Sequence, residues 1–162
     1  AIIPCNPEVK TGREPERHIG PSIDEENMTY GRNLNAALDR KTILIAEDIS
    51  SNYLLLSVML CKHYNLLHAM NGQQAVEMAK NYRIDLLLMD MKMPVMDGLT
   101  ATVEIRKFNK ELPIVALTAH AFDSDKAAAL EAGCNDYLAK PVDKARLMSV
   151  LRKYCYSPDI AL

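Results

Sequence analysis

The 162-residue sequence predicts an α/β protein built on a parallel sheet. Three observations predict it. Five short, almost wholly apolar runs recur along the chain without the polar alternation of a half-exposed strand, as expected of strands covered on both faces. Segments with helical period separate them. The strand–helix alternation repeats five times, and parallel neighbours need a crossover of helical length.

The runs are Thr42 to Ala46, Leu66 to Ala69, Asp85 to Met89, Pro113 to Leu117 and Asp136 to Ala139. After the first, Leu54, Leu55, Val58 and Met59 form an apolar stripe behind Ser50 or Ser51, which predicts a helix packing through those four residues. Asn71 with Gln74 has capping-box spacing and opens the second helix. Asp97-Gly98 is a turn opening the third. Gly133 stops a helix after the Ala127 to Leu130 run. Leu147, Val150, Leu151 and Tyr154 fall at i, i+3, i+4 and i+7, with Asp143 placed to cap that last helix.

Residues 1–40 read differently. Pro4, Pro7, Pro15 and Pro21 punctuate a charged stretch that buries too little apolar surface to offset its backbone entropy. They are expected to be a linker or extension, or the tail of a preceding domain, with local helical signals at Ser22/Glu25 and Asn33 to Leu38. The folded domain is expected over 41–156, and 157–162 as a C-terminal tail. The chain does not begin with Met and is expected to be a fragment or a processed form.

Composition narrows the function. The chain is 49% hydrophobic and 25% charged with a net charge of −2, the balance of a globular protein without a basic nucleic-acid footprint. No apolar run is long enough to span a bilayer. Cys5, Cys61, Cys134 and Cys155 are scattered without a C-x-x-C pair, so neither a disulfide framework nor a zinc site is expected. Reduced thiols in a cytoplasmic setting are.

In an open α/β sheet, ligands bind at the carboxyl ends of the strands. Here the first run ends in Glu47-Asp48, the third in Asp90, the fourth in Thr118 and the fifth in Lys140-Pro141. Each piece alone is weak, since acidic pairs and Lys-Pro steps are common in turns. The conjunction is informative, because each falls at the functional end of a different strand. Two carboxylates about 4 Å apart repel by roughly 4 kcal/mol at an effective dielectric near 20. One lysine cannot neutralise three of them. Hard oxygen ligands of this kind suit Mg²⁺, and a carboxylate beside it can form an aspartyl-phosphate. Lys140 and Thr118 would then meet the phosphoryl oxygens.

The motifs Ile45-Ala46-Glu47-Asp48, Met89-Asp90-Met91-Lys92-Met93-Pro94-Val95-Met96-Asp97-Gly98, Ala116-Leu117-Thr118-Ala119 and Tyr137-Leu138-Ala139-Lys140-Pro141-Val142 resemble those of response-regulator receiver domains. They come in the family's order and spacing. The resemblance implies a flavodoxin-like sheet of strand order 2-1-3-4-5 with helices on both faces. It implies that Asp90 accepts phosphate from a phosphohistidine, with a histidine kinase or a histidine phosphotransfer domain as partner. Mg²⁺ would be held by Glu47, Asp48, Asp90 and the backbone carbonyl of Lys92. Thr118 and Lys140 would bind the phosphoryl group, with a cis peptide before Pro141, and Tyr137 would be the aromatic that changes rotamer as Thr118 moves. Lys92 and His120 fall where side chains tune phosphoryl hydrolysis.

The chain departs from the family pattern in having Glu-Asp for Asp-Asp and Ile49 where an Asn often follows. His63 and His68 are expected to be structural. Met91, Met93 and Met96 are expected to pack around the site. The arrangement most resembles the C-terminal receiver of a hybrid sensor histidine kinase, whose parent could be membrane-anchored. A stand-alone response regulator is the alternative, and an aspartyl-phosphate phosphohydrolase is disfavoured because Lys92 stands where such enzymes carry a second Asp. A receiver catalyses its own phosphorylation without being a conventional enzyme.

Overall fold

The computed structural model describes residues 40–120 and 122–156. The expected linker, up to residue 39, and the expected tail, 157–162, lie outside them. The order is β1 (Thr42–Ala46), α1 (Ser50–Leu60), β2 (Asn65–Ala69), α2 (Gly72–Asn81), β3 (Leu86–Asp90), α3 (Gly98–Arg106), β4 (Ile114–Thr118), α4 (Asp123–Ala132), β5 (Asp136–Ala139) and α5 (Lys144–Cys155). All pairings are parallel, and the sheet order is β2-β1-β3-β4-β5. The strands match the apolar runs to within a residue, but Asp90 and Thr118 close β3 and β4 instead of following them.

Alternation along each strand sends side chains to two cores. Leu44, Leu67, Leu87, Met89 and Ile114 pack with α2, α3 and α4 on one face. Ile43, Ile45, Leu86, Leu88 and Leu117 pack with α1 and α5 on the other. β1, β3 and β4 are covered on both sides, which is why their sequences are apolar without interruption. Burying a Leu or Ile fully stabilises by about 1.5–3 kcal/mol, so these three strands anchor the fold.

Most helix starts follow their sequence signals. Asn71, Asp97 and Asp143 accept bonds from the backbone N–H groups of Gln74, Thr100 and Arg146, and Gln74 Oε1 accepts from the N–H of Met70, the residue before the cap. Gly133 ends α4 at φ 108°.

α1 corrects the sequence reading twice. Ile49 occupies the N-cap position with no side-chain bond, so neither Ser50 nor Ser51 caps the helix. Leu54, Leu55 and Val58 are exposed (61%, 47% and 65%), while Leu56 and Leu60 are buried, flanked by half-buried Tyr53 and Met59. The reason is that Tyr53, Leu54, Leu55, Leu56, Val58, Met59 and Leu60 make this helix apolar nearly all round. Period alone then selects no face.

Candidate functional site

Strand order reverses between β1 and β3, and the carboxyl ends of those two strands carry the acidic residues. Glu47 and Asp48 leave β1, Asp90 closes β3, Thr118 closes β4, and Lys140 follows β5. A cleft of about 690 Å³ collects Asp48, Asp90, Thr118 and Lys140, with Lys92 and His120 on its walls. Carboxylate oxygens of Glu47, Asp48 and Asp90 lie within 4.8 Å of one another.

The loop after β3 is held tightly. Gly98 N–H donates to the Met91 carbonyl (3.1 Å), and a Cβ on Gly98 would strike the Asp90 carbonyl. Gly72 N–H donates to the Met96 carbonyl (2.9 Å). Met91, Met93 and Met96 pack partly buried against the core, as their apolar chemistry suggests. Val95, at the loop's tip, has φ 71°, a conformation that β-branched residues rarely adopt.

Lys140 bridges the cluster, with its ammonium 2.7 Å from Glu47 Oε2 and 2.8 Å from Asp90 Oδ2. Burial alone would lower its pKa, but the bonds to Asp90 and Glu47 outweigh that and hold it above the ordinary lysine value. Burial pushes the Asp90 carboxyl above the usual range, with Glu47 adding to the rise and Lys140 and Lys92 N–H opposing it. Glu47 is fully buried and also accepts from Ile49 N–H (3.2 Å) and Asn52 Nδ2 (3.1 Å). Among the described residues, Asp48 Oδ1 and Thr118 Oγ1 are buried without a hydrogen-bond partner. Such orphans cost about 1–3 kcal/mol each.

An all-oxygen donor set with a partnerless buried carboxylate oxygen fits a hard divalent cation. A partnerless hydroxyl across the same cleft is a donor without an acceptor, as an anion site requires. The peptide bond between Lys140 and Pro141 is cis. Tyr137 is half-buried, with Lys126 Nζ 4.9 Å and Arg146 Cζ 5.8 Å from its ring centre. His120 is exposed and packs against Phe122, ring centres 5.5 Å apart.

This set decides the family when joined to one comparison: residues 43–152 match the response regulator receiver domain. The chain belongs to that family. The receiver is 45% identical over 135 residues to hybrid signal transduction histidine kinase G of Dictyostelium discoideum, covering 80% of this chain and 4% of that protein. It is 39% identical over 118 residues to the histidine-protein kinase BarA of Escherichia coli, covering 70% of this chain and 13% of that protein. The chain thus spans only a small part of these relatives.

Among solved structures, the receiver domain of a Pseudomonas aeruginosa sensor histidine kinase, crystallised with a magnesium ion in its active-site cleft, is 40% identical with a TM-score of 0.69, covering 73% of this chain and 99% of that one. The receiver of the Saccharomyces cerevisiae response regulator Ssk1, solved with the histidine phosphotransfer protein Ypd1, is 37% identical with a TM-score of 0.68, covering 71% of this chain and 88% of that one.

One residue of the site escaped the sequence reading. Asn52 sits in the first turn of α1, four residues after Asp48, spaced to return to the acidic pair. His68 reads as a strand residue, and is one. Its Nε2 also lies 2.8 Å from the Glu47 carbonyl oxygen, and its ring stacks on Tyr53 with centres 3.7 Å apart.

Proposed function

We propose that this receiver accepts a phosphoryl group on Asp90 from a phosphohistidine, as the acceptor in a histidine-to-aspartate relay. The observation that carries the reading is the pair of partnerless buried oxygens, Asp48 Oδ1 and Thr118 Oγ1, flanking Asp90 in one cleft. They supply part of a cation site and a hydrogen-bond donor for the phosphoryl group beside Asp90.

Glu47, Asp48, Asp90 and the backbone carbonyl of Lys92 would hold Mg²⁺, which when bound offsets carboxylate repulsion and the charge on the transferring group. An Asp90 carboxylate oxygen attacks phosphorus as the bond to the imidazole nitrogen breaks, leaving the electron pair on the donor ring. Lys140 shifts its ammonium from Asp90 to a phosphoryl oxygen, and the Thr118 hydroxyl donates to another. The new contact draws Thr118 toward the phosphoryl group, and Tyr137 turns into the space behind it. Lys92 and His120, at the cleft walls, limit the approach of water to the acyl phosphate. The wall positions of both side chains support that role.

A protein donor is favoured over a small one by the rim of the cleft. Ile49, Leu54, Leu55 and Val58 leave an apolar strip exposed beside the acidic cluster, suited to a helical partner bearing the histidine. Relatives that are hybrid histidine kinases favour the receiver of such a kinase over a stand-alone regulator. The receiver is proposed to span 41–156, with 1–40 as its tether.

Intact mass after incubation with Mg²⁺ and acetyl phosphate tests the reading. The wild-type chain should gain one phosphoryl group and Asp90→Asn none. An equal gain in Asp90→Asn would move the acceptor elsewhere.

A further inference from the structure

Glu47 is enclosed on every side, and its three bonds are of different kinds. Oε2 faces the Lys140 ammonium, while Oε1 takes the Ile49 backbone N–H and the Asn52 side-chain amide. The backbone bond fixes only one point of the carboxylate. A second cavity, of about 60 Å³, lies beyond it, lined by Glu47, Asn52, Leu55, Leu117, Lys140 and Val142 among others. Asn52 lines this cavity and the main cleft alike, so it stands between the two.

The carboxylate therefore has somewhere to go. Without the Asn52 amide, Glu47 can rotate about its side chain into the small cavity, and its ion pair with Lys140 would follow. The ammonium would then leave Asp90, which it now meets at 2.8 Å. An acidic pair with a shorter Asp at the first position has less reach, and the extra methylene of Glu47 gives its carboxylate this freedom.

We infer that Asn52 is a positioning residue. It pins Glu47 so that Lys140 stays shared between Glu47 and Asp90, in place to take a phosphoryl oxygen. The effect on phosphoryl capture rests on the function proposed above; the effect on Lys140 does not.

Two readouts test it. In the metal-free protein, the side-chain ammonium NMR signal of Lys140 should be visible in the wild type, protected by its two carboxylate bonds, and broadened away in Asn52→Ala. Asn52→Asp, nearly isosteric but without the donor, should behave alike. With Mg²⁺ and acetyl phosphate, Asn52→Ala should phosphorylate about tenfold more slowly, the loss expected of a bond to a charged group. Its Mg²⁺ affinity, followed by amide shifts, should fall as well, because the displaced Glu47 carboxylate is one of the proposed ligands. In a Glu47→Ala background the same substitution should cost nothing further, since Asn52 acts through Glu47. A protected Lys140 signal in Asn52→Ala, or the same tenfold loss in both backgrounds, would overturn the assignment. A wild-type chain that takes no phosphoryl group would instead count against the relay function, and the ammonium signal would still decide the role of Asn52.

Discussion

At the amino ends of the strands, Asp85 accepts from Thr42 N–H (2.8 Å) and Lys41 Nζ (3.3 Å), and Asn135 Oδ1 accepts from Ile114 N–H and Arg106 (2.9 Å each). Arg106 also donates to the carbonyls of Gly133 and Asn109, tying α3 to the start of β5. At the carboxyl ends of the same strands, three carboxylates cluster around one lysine that pairs with only Glu47 and Asp90, and Asp48 Oδ1 and Thr118 Oγ1 have no partner among the described residues. Val95 there holds a strained backbone with its side chain 78% exposed. The two edges share strands, cores and chain length, so fold stability does not require the poor satisfaction of the second. A folded chain tolerates such a cluster where its unpaired groups are reserved for a ligand.

That contrast can be broken by substitution. The largest effect on stability is expected at the amino edge. Arg106→Ala removes three hydrogen bonds, leaving the Gly133 and Asn109 carbonyls without that donor, and should cost about 2 kcal/mol of unfolding free energy, seen as a lower urea midpoint, while leaving Mg²⁺ affinity unchanged. A comparable loss of Mg²⁺ binding would show that the edges are not independent. Val95→Gly works in the opposite sense at the carboxyl edge. Relief of the positive φ, less the added freedom of the unfolded chain, should stabilise by about 1 kcal/mol. An unchanged or lower midpoint would remove the strain from this account. Smaller still is the Thr118→Ala effect on folding, because relief of the unpartnered buried hydroxyl offsets the loss of the buried methyl. Stability should move by less than about 1 kcal/mol. Asp90 should still accept phosphate, yet a beryllofluoride mimic should no longer shift amide resonances around Tyr137 and α4. Full wild-type shifts there would contradict the coupling of Thr118 to Tyr137.

How far the sequence could be read follows the same divide. Strands buried on both faces write an unbroken apolar run, so all five were legible, and the residues ending them located the acidic cluster, Thr118 and Lys140. Asn71, Asp97, Asp143 and Gly133 were legible because each cap acts within four residues of itself. The buried face of α1 was not, since an all-round apolar helix carries no directional signal. Leu54, Leu55 and Val58 looked like core and are exposed. Asn52 was hidden for another reason: an amide in a first helical turn is ordinary until the buried carboxylate it meets is known. The positive φ of Val95 runs against its residue type, so local propensity pointed away from it.

The claim that the carboxyl edge is held incomplete for a cation is tested most directly at Asp48. Thermal unfolding of wild type and Asp48→Asn should be compared with and without millimolar Mg²⁺. Without metal, Asp48→Asn should be the more stable, by about 1 kcal/mol, because a carboxylate beside two others is replaced by a neutral amide. Mg²⁺ should raise the wild-type midpoint by mass action on the folded state and leave Asp48→Asn where it was. A wild-type midpoint indifferent to Mg²⁺, with Asp48→Asn less stable in its absence, would contradict the account.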